Sequence, residues 1–372
     1  MSLPRLSLPA SLNYIGAFLT FDCNLNCHYC INDPEQRGDR KTIFLTQAGQ
    51  KPKYRTELTP DEWGRILRRL PAREDLPVTF QGGEPTLYWK GEGLGEILKQ
   101  TEVWGDLLTN FALEPALFVK RLQGRGEKLR RKSNYPPIRV SFHIKEMDRL
   151  WGDGFSELVR RCEALSEYGF RVTGDGETSD IGIYVVDHPE NEVTDAMKTA
   201  CEGRVPFFMK DFLGVHDGEL HGQYGYPYST DLISRAVHPT TLNCECRTTE
   251  LLIDPLGFVW GCHFYLYHAW ETKAPASYFH DLGAAEFDFS RLSFGDAVAP
   301  IGHMLDPAFA LSQLEVFRPC SFYGRCIGCD TKLKRDRFAT ENVYRSSVII
   351  KNIQWPKEMR GKVSNDYTRE KP

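Results

Sequence analysis

The chain contains no apolar run near the roughly 20 residues that cross a bilayer, so no membrane partner is expected. Its opening residues, MSLPRLSLPASL, carry prolines where a secretory signal needs an apolar stretch, and no cleavage-like site follows. Without an export signal the expected compartment is a reducing cytoplasm, where disulfide frameworks are rare. An excess of charge of one sign is also missing. Lys and Arg number 46 against 50 Asp and Glu, a formal net charge of −4 over 372 residues. Such a balance produces no global field toward nucleic acid, which is not expected as a partner. One basic run, 120–132, reads as a solvated face. No internal repeat is evident.

What is present is an ordinary globular composition, 41% hydrophobic and 26% charged, enough for two or three domains or one large barrel with an appendage. From residue 14 to about 215, short apolar runs alternate with helical patterns. Strands are expected at 17–20, 78–80, 106–109, 138–144, 181–186 and 207–213. Helices are expected between them, the first signalled by Thr59 as cap, Pro60 at the first turn and Glu62 completing a capping box. Strands separated by helices imply parallel β/α units, and six units make a partial (β/α)6 TIM-like barrel of the α/β class. Functional loops of such barrels follow the C-terminal ends of strands. The domain expectation is a barrel at 1–230, a cysteine-rich unit at 231–345 and a charged tail at 346–372.

In a reducing compartment the 11 cysteines are metal ligands or redox groups where they cluster. Cys162 and Cys201 fall outside any cluster and read as buried small hydrophobes. Cys23, Cys27 and Cys30 form C-x3-C-x2-C, with Tyr29 before the last cysteine, directly after the first strand. Three thiolates are one short of a closed tetrahedral site. A cubane normally takes four, so one held by three cysteines leaves an iron open to a ligand. A zinc ion completed by His28 or Asp22 is the alternative.

The C-x3-C-x2-C segment resembles the cluster loop of the radical S-adenosylmethionine (SAM) superfamily. In that family a [4Fe–4S] cluster binds the amino and carboxylate groups of SAM at its open iron. Reductive cleavage of the sulfonium C–S bond then gives a 5′-deoxyadenosyl radical, which abstracts hydrogen from the substrate. Gly82-Gly83-Glu84-Pro85, placed after the second strand, is similar to the family's GGE motif, where backbone and carboxylate meet the SAM amino group. Thr109-Asn110 at the end of the third strand resembles the family pattern as well, and Ser141 lies where the family contacts the SAM ribose or carboxylate. The resemblance thus implies cofactor contacts at Tyr29, Gly82, Gly83, Glu84, Asn110 and Ser141.

On the fourth expected strand, alternation puts Ser141, His143 and Lys145 on one face. A polar set on an inner face is costly unless it lines a cavity, so His143 and Lys145 are candidates to touch substrate. A reversed register or a structural role for His143 is the alternative. Lys210 and Asp211 on the sixth strand are similar candidates.

A second set of thiols begins at Cys244 and Cys246. A hairpin turning at 254–257 is expected to bring Cys262 back beside Cys246; Cys320, Cys326 and Cys329 follow. The C-x10-G-x4-C spacing from Cys246 through Gly257 to Cys262 resembles the opening of the SPASM and twitch extensions of radical SAM enzymes, which carry auxiliary clusters. Six cysteines are too few for two four-thiolate clusters. The resemblance therefore implies one auxiliary [4Fe–4S] cluster on Cys246, Cys262, Cys326 and Cys329, with Cys244 and Cys320 as substitutes. Zinc is again an alternative.

The function these features imply is hydrogen abstraction leading to oxidation, cross-linking or epimerisation of a peptide or small metabolite. A flavodoxin- or ferredoxin-type protein would donate the electron. Only about a dozen residues precede the first strand, too few for a leader-binding domain. The stretch 32–58 is longer than its connection needs and reads as a lid or a surface loop. Competing readings are an activase of a glycyl-radical partner and a non-catalytic zinc-binding interaction protein.

Overall fold

A computed structural model describes residues 3–27, 30, 57–132, 135–211, 214–216, 219–221, 245–263, 266, 300–319, 333–336, 339–344 and 348–351. From residue 211 to 246, and from 319 onward, only strand backbone is described.

Six strands run parallel in chain order: β1 (Tyr14–Thr20), β2 (Val78–Gly82), β3 (Gly105–Thr109), β4 (Ile138–Phe142), β5 (Ile181–Asp187) and β6 (Phe207–Asp211). Six α-helices return the chain between them: α1 (Pro60–Leu67), α2 (Gly93–Gln100), α3 (Pro115–Arg121), α4 (Ile144–Trp151), α5 (Gly154–Ala164) and α6 (Asp195–Cys201). Helix α1 starts as its sequence dictates. The Thr59 hydroxyl accepts from the Glu62 N–H while the Glu62 carboxylate accepts from the Thr59 N–H, an arrangement that contributes about 1 kcal/mol.

Period-2 alternation gives the sheet two unlike faces. Ile15, Ala17 and Leu19 of β1, Val78 and Phe80 of β2, Leu107 of β3, and Ile138, Val140 and Phe142 of β4 are fully buried in one apolar core. Trp63, Ile66 and Leu67 of α1, Leu94, Ile97 and Leu98 of α2, Phe118 of α3 and Leu158 of α5 belong to the same core. Each Val, Leu, Ile or Phe among them contributes about 1.5–3 kcal/mol by leaving water. The residues between them, including Tyr14, Thr79, Gln81, Asp106, Arg139 and Ser141, occupy the opposite face. They bond to one another there: Gln81 Nε2 donates to the Tyr14 hydroxyl at 2.7 Å and Arg139 Nη2 donates to Asp106 Oδ1 at 2.8 Å.

Three findings depart from expectation. Strand β4 ends at Phe142, and 144–151 is helix α4, so His143 and Lys145 do not continue the strand. Second, the hairpin β10 (Glu250–Ile253) and β11 (Phe258–Trp260) does not stand in a separate unit. Strand β10 pairs in parallel with β1, Tyr14 opposite Glu250, so the hairpin and β12 (Gly302–His303) extend the same nine-stranded sheet. Third, 348–351, expected in the tail, is strand β16 (Val348–Lys351). It lies in a second sheet with β9 (Glu245–Arg247), β13 (Arg318–Pro319), β14 (Leu333–Asp336) and β15 (Ala339–Tyr344). A further pair, β7 (Gly214–His216) and β8 (Glu219–His221), forms a small antiparallel ribbon. Among the described residues no helix is long and apolar enough to cross a membrane.

Candidate functional site where three strand ends meet the cysteine loop

The loop leaving β1 carries Cys23 and Cys30, both half-buried, and Cys27, buried. The Leu25 N–H donates to Cys23 Sγ at 3.4 Å, and the Cys30 N–H to the Cys27 carbonyl at 3.1 Å. None of the three forms a disulfide.

The end of β2 lies directly against this loop. The Gly83 N–H donates to the Thr20 carbonyl at 2.8 Å and the Glu84 N–H to the Asp22 carbonyl at 2.7 Å. That approach excludes side chains. A Cβ at Gly83 would lie 2.1 Å from the Asp22 oxygen, and one at Gly82, whose φ is 143°, would lie 2.0 Å from the Thr20 oxygen. Both positions require glycine for contact, and Gly82 for its backbone conformation as well.

Glu84 turns inward and is buried. Its Oε1 accepts from the Thr86 N–H at 3.0 Å, the Thr86 hydroxyl at 2.6 Å and the Thr109 hydroxyl at 2.8 Å; its Oε2 accepts from the Asn110 N–H at 2.7 Å. Burial pushes this carboxyl above its ordinary value, against the pull of the four donors. The carboxylate therefore joins the ends of β2 and β3. Asn110 passes that link to the cysteine loop: its Nδ2 donates to Asn24 Oδ1 at 2.8 Å and to Cys23 Sγ at 3.7 Å. Phe111 follows with φ 52° and anchors the turn by packing edge-on against Phe118.

Two contacts were not legible in the sequence. Glu146 on α4 accepts from the Asn26 N–H at 3.0 Å, directly before Cys27. The Thr20 hydroxyl bonds to the Glu57 carboxylate, and burial pushes Glu57 up to about 7, with Thr20 opposing and Asp22 reinforcing the shift. Neither carboxylate stands in a recognisable motif; 120 residues separate Asn26 from Glu146.

Gly82, Gly83, Glu84, Asn110 and the three cysteines are thus brought together. Tyr29 lies outside the described residues. Ser141 lies on the polar face of β4, half-buried. His143 caps α4 without using its side chain. Lys145 is on the surface, 55% exposed, and paired with Glu190, so the expected shared face of Ser141, His143 and Lys145 does not exist. Lys210 extends over the Tyr135 and Tyr184 rings at 5.1 and 5.7 Å. Of the second cysteine set, Cys262 is described and buried, and Cys246 is placed by backbone alone on β9. Cys244, Cys320, Cys326 and Cys329 lie outside the described residues.

The donor chemistry fits an iron–sulfur cluster. Three thiols share one short loop, and two N–H groups already point at the first sulfur, an environment that favours thiolate.

A family profile described as the radical SAM superfamily matches residues 18–219. A PqqA peptide cyclase of Bradyrhizobium diazoefficiens is 33% identical over 102 residues, 27% of this chain and 22% of that protein. Two solved structures of SuiB from Streptococcus suis, one bound to S-adenosylmethionine and one to the precursor peptide SuiA, align at 16% and 14% identity. Their TM-scores are 0.36 and 0.35, over 70% and 72% of this chain and 62% and 61% of theirs. The chain thus spans less than two thirds of each of these relatives.

Proposed function

The chain belongs to the radical SAM superfamily, and from that premise we propose that it is a peptide-modifying enzyme holding a [4Fe–4S] cluster on Cys23, Cys27 and Cys30 and SAM at the remaining iron. Together the bound cluster and SAM supply one-electron cleavage of the sulfonium C–S bond and abstraction of a substrate hydrogen. The chain's own residues hold and orient. Glu84 and Asn110 fix the cysteine loop to β2 and β3, Gly82 and Gly83 leave room for close approach, and Glu146 secures the loop from α4. Tyr29 and Ser141 complete the SAM contacts in this reading. His143 and Lys210 are proposed on the substrate side, from which Lys145 is left out because of its surface ion pair.

The observation that carries the reading is the convergence of three adjacent parallel strand ends on the cysteine loop. We further propose that β1–β6 form a partial barrel and that a SPASM- or twitch-like unit holds one auxiliary cluster through Cys246, Cys262, Cys326 and Cys329. A peptide substrate is the reading favoured by the likeness to a peptide cyclase. A flavodoxin- or ferredoxin-type donor and a cytoplasmic site complete it.

Anaerobic purification tests the proposal. A brown protein with about eight irons and eight sulfides, which cleaves SAM on reduction, supports it. A colourless protein with stoichiometric zinc refutes it. Replacing Cys23, Cys27 and Cys30 together by Ala should remove about half of the iron and all SAM cleavage.

A further inference from the structure

The polar face of the sheet, from whose sixth strand Lys210 is proposed on the substrate side, holds two donors with no acceptor among the described residues. Arg139 on β4 gives Nη2 to Asp106 Oδ1 at 2.8 Å and to Thr79 Oγ1 at 3.3 Å, yet its buried Nε–H has no partner among the described residues. The Tyr184 hydroxyl on β5 is likewise buried without a partner. The two residues belong to adjacent strands and the same face: Tyr184 stands opposite Ser141, two positions beyond Arg139. Buried polar groups are nearly always satisfied, and an exception calls for a missing ligand or water.

The surrounding charge selects the ligand. Arg131 and Arg139 both pair with Asp106, and Lys210 lies over the Tyr135 and Tyr184 rings, so among the described residues three cations accompany one carboxylate. Among the described residues a second buried carboxylate on this face, Glu250, lies beyond β1 and faces His263 at 3.5 Å. Burial also holds the Tyr184 hydroxyl well above its ordinary value, which keeps it a proton donor. A guanidinium edge and a phenolic O–H are matched by a planar anion that accepts both. Arg139 keeps 16% of its side chain exposed, while its Nε is buried.

We propose that Arg139 and Tyr184 bind a carboxylate of the substrate, so that the substrate class is a peptide presenting an acidic side chain or its C-terminus to this face. The inference rests on the radical SAM reading only for the word substrate; the binding site needs neither SAM nor reduction.

Three probes test it on the anaerobically purified holoenzyme: N-acetylglutamate amide, N-acetylalanine and the neutral N-acetylglutamine amide. Binding is followed in arginine-Nε-labelled protein, with the Arg139 signal assigned by its loss in Arg139→Lys. At least one carboxylate should bind about tenfold more tightly than the neutral probe and shift the Arg139 signal. Which one does so separates a side-chain from a C-terminal carboxylate. Tyr184→Phe keeps the stack on Phe208 and should weaken binding about fivefold. Equal affinity for charged and neutral probes, no binding of either carboxylate, or unaltered binding in both variants overturns the proposal. SAM cleavage is measured on the same sample. Cleavage without carboxylate preference sinks this inference alone, whereas carboxylate binding without cleavage supports it and sinks the functional reading.

Discussion

Asn110 Nδ2 lies 3.7 Å from the Cys23 sulfur, while the Asn110 backbone N–H is held at 2.7 Å by Glu84. A buried carboxylate just beyond β2 thus governs, through one asparagine, how the first cysteine of the loop is solvated.

Hydrogen bonds to cluster sulfurs raise reduction potentials. Asn110→Ala should therefore lower the potential of the cluster proposed on this loop. One neutral hydrogen bond of ~1 kcal/mol corresponds to about 40 mV for a single electron. A redox titration followed by electron paramagnetic resonance measures it. An unchanged or higher potential rejects the N–H···S contact as a tuning element.

Glu84→Gln exchanges an acceptor oxygen for a donor amide where two backbone N–H groups and two hydroxyls already point inward. The expected loss is about 1.5–3 kcal/mol, the range for hydrogen bonds to charged groups. Urea unfolding measures it, together with reduced iron loading. A variant of wild-type stability and full iron content would mean the carboxylate is not what joins the strand ends.

Gly83→Ala should displace the cysteine loop, because the added methyl would lie 2.1 Å from the Asp22 oxygen and 2.5 Å from the Phe21 oxygen. Gly124→Ala is the control: φ is +72° there, a conformation that burdens alanine, but nothing lies within 4 Å. The control should cost only about 1 kcal/mol of backbone strain and retain its iron. Equal iron content in the two variants contradicts the steric argument.

Asp254, at the hairpin turn, accepts from the N–H groups of Leu256 and Phe258 and from Trp260 Nε1, each at 2.9 Å. Burial nevertheless pushes its carboxyl up to about 7 from 3.8. A carboxyl raised on folding binds its proton more tightly in the folded state. Its contribution to stability is therefore fully present below about pH 4 and declines as pH rises toward 7. Urea midpoints of wild type should fall between pH 5 and 8, and Asp254→Asn should flatten that slope. A midpoint that rises over this range for wild type and variant alike would exclude Asp254 as its source.

Much of this architecture is local and can be read along the chain. The capping box at Thr59 and Glu62, the alternation of apolar runs with helical patterns, and the glycines after β2 each act within a few residues. Short-range rules therefore locate them. The reading failed at the end of β4, where His143 and Ile144 continue a strand-like run. The backbone instead turns into α4, whose Met147 joins the core and whose Glu146 reaches the cysteine loop. The pairing of the hairpin at 250–260 with β1 is equally illegible, because nothing in the sequence of β10 names β1 as its neighbour.

By itself, the amino-acid order determined the three-cysteine loop, the Gly-Gly-Glu turn and the β/α rhythm, since each depends on near-neighbour spacing and backbone conformation. Only the tertiary structure decided that Glu84 faces Thr109 and Asn110, that Glu146 secures Asn26, and that Arg139 and Tyr184 share a face. Those pairings join residues far apart in the chain, and packing of the apolar sheet face against the helices sets which side chains are left to meet on the other.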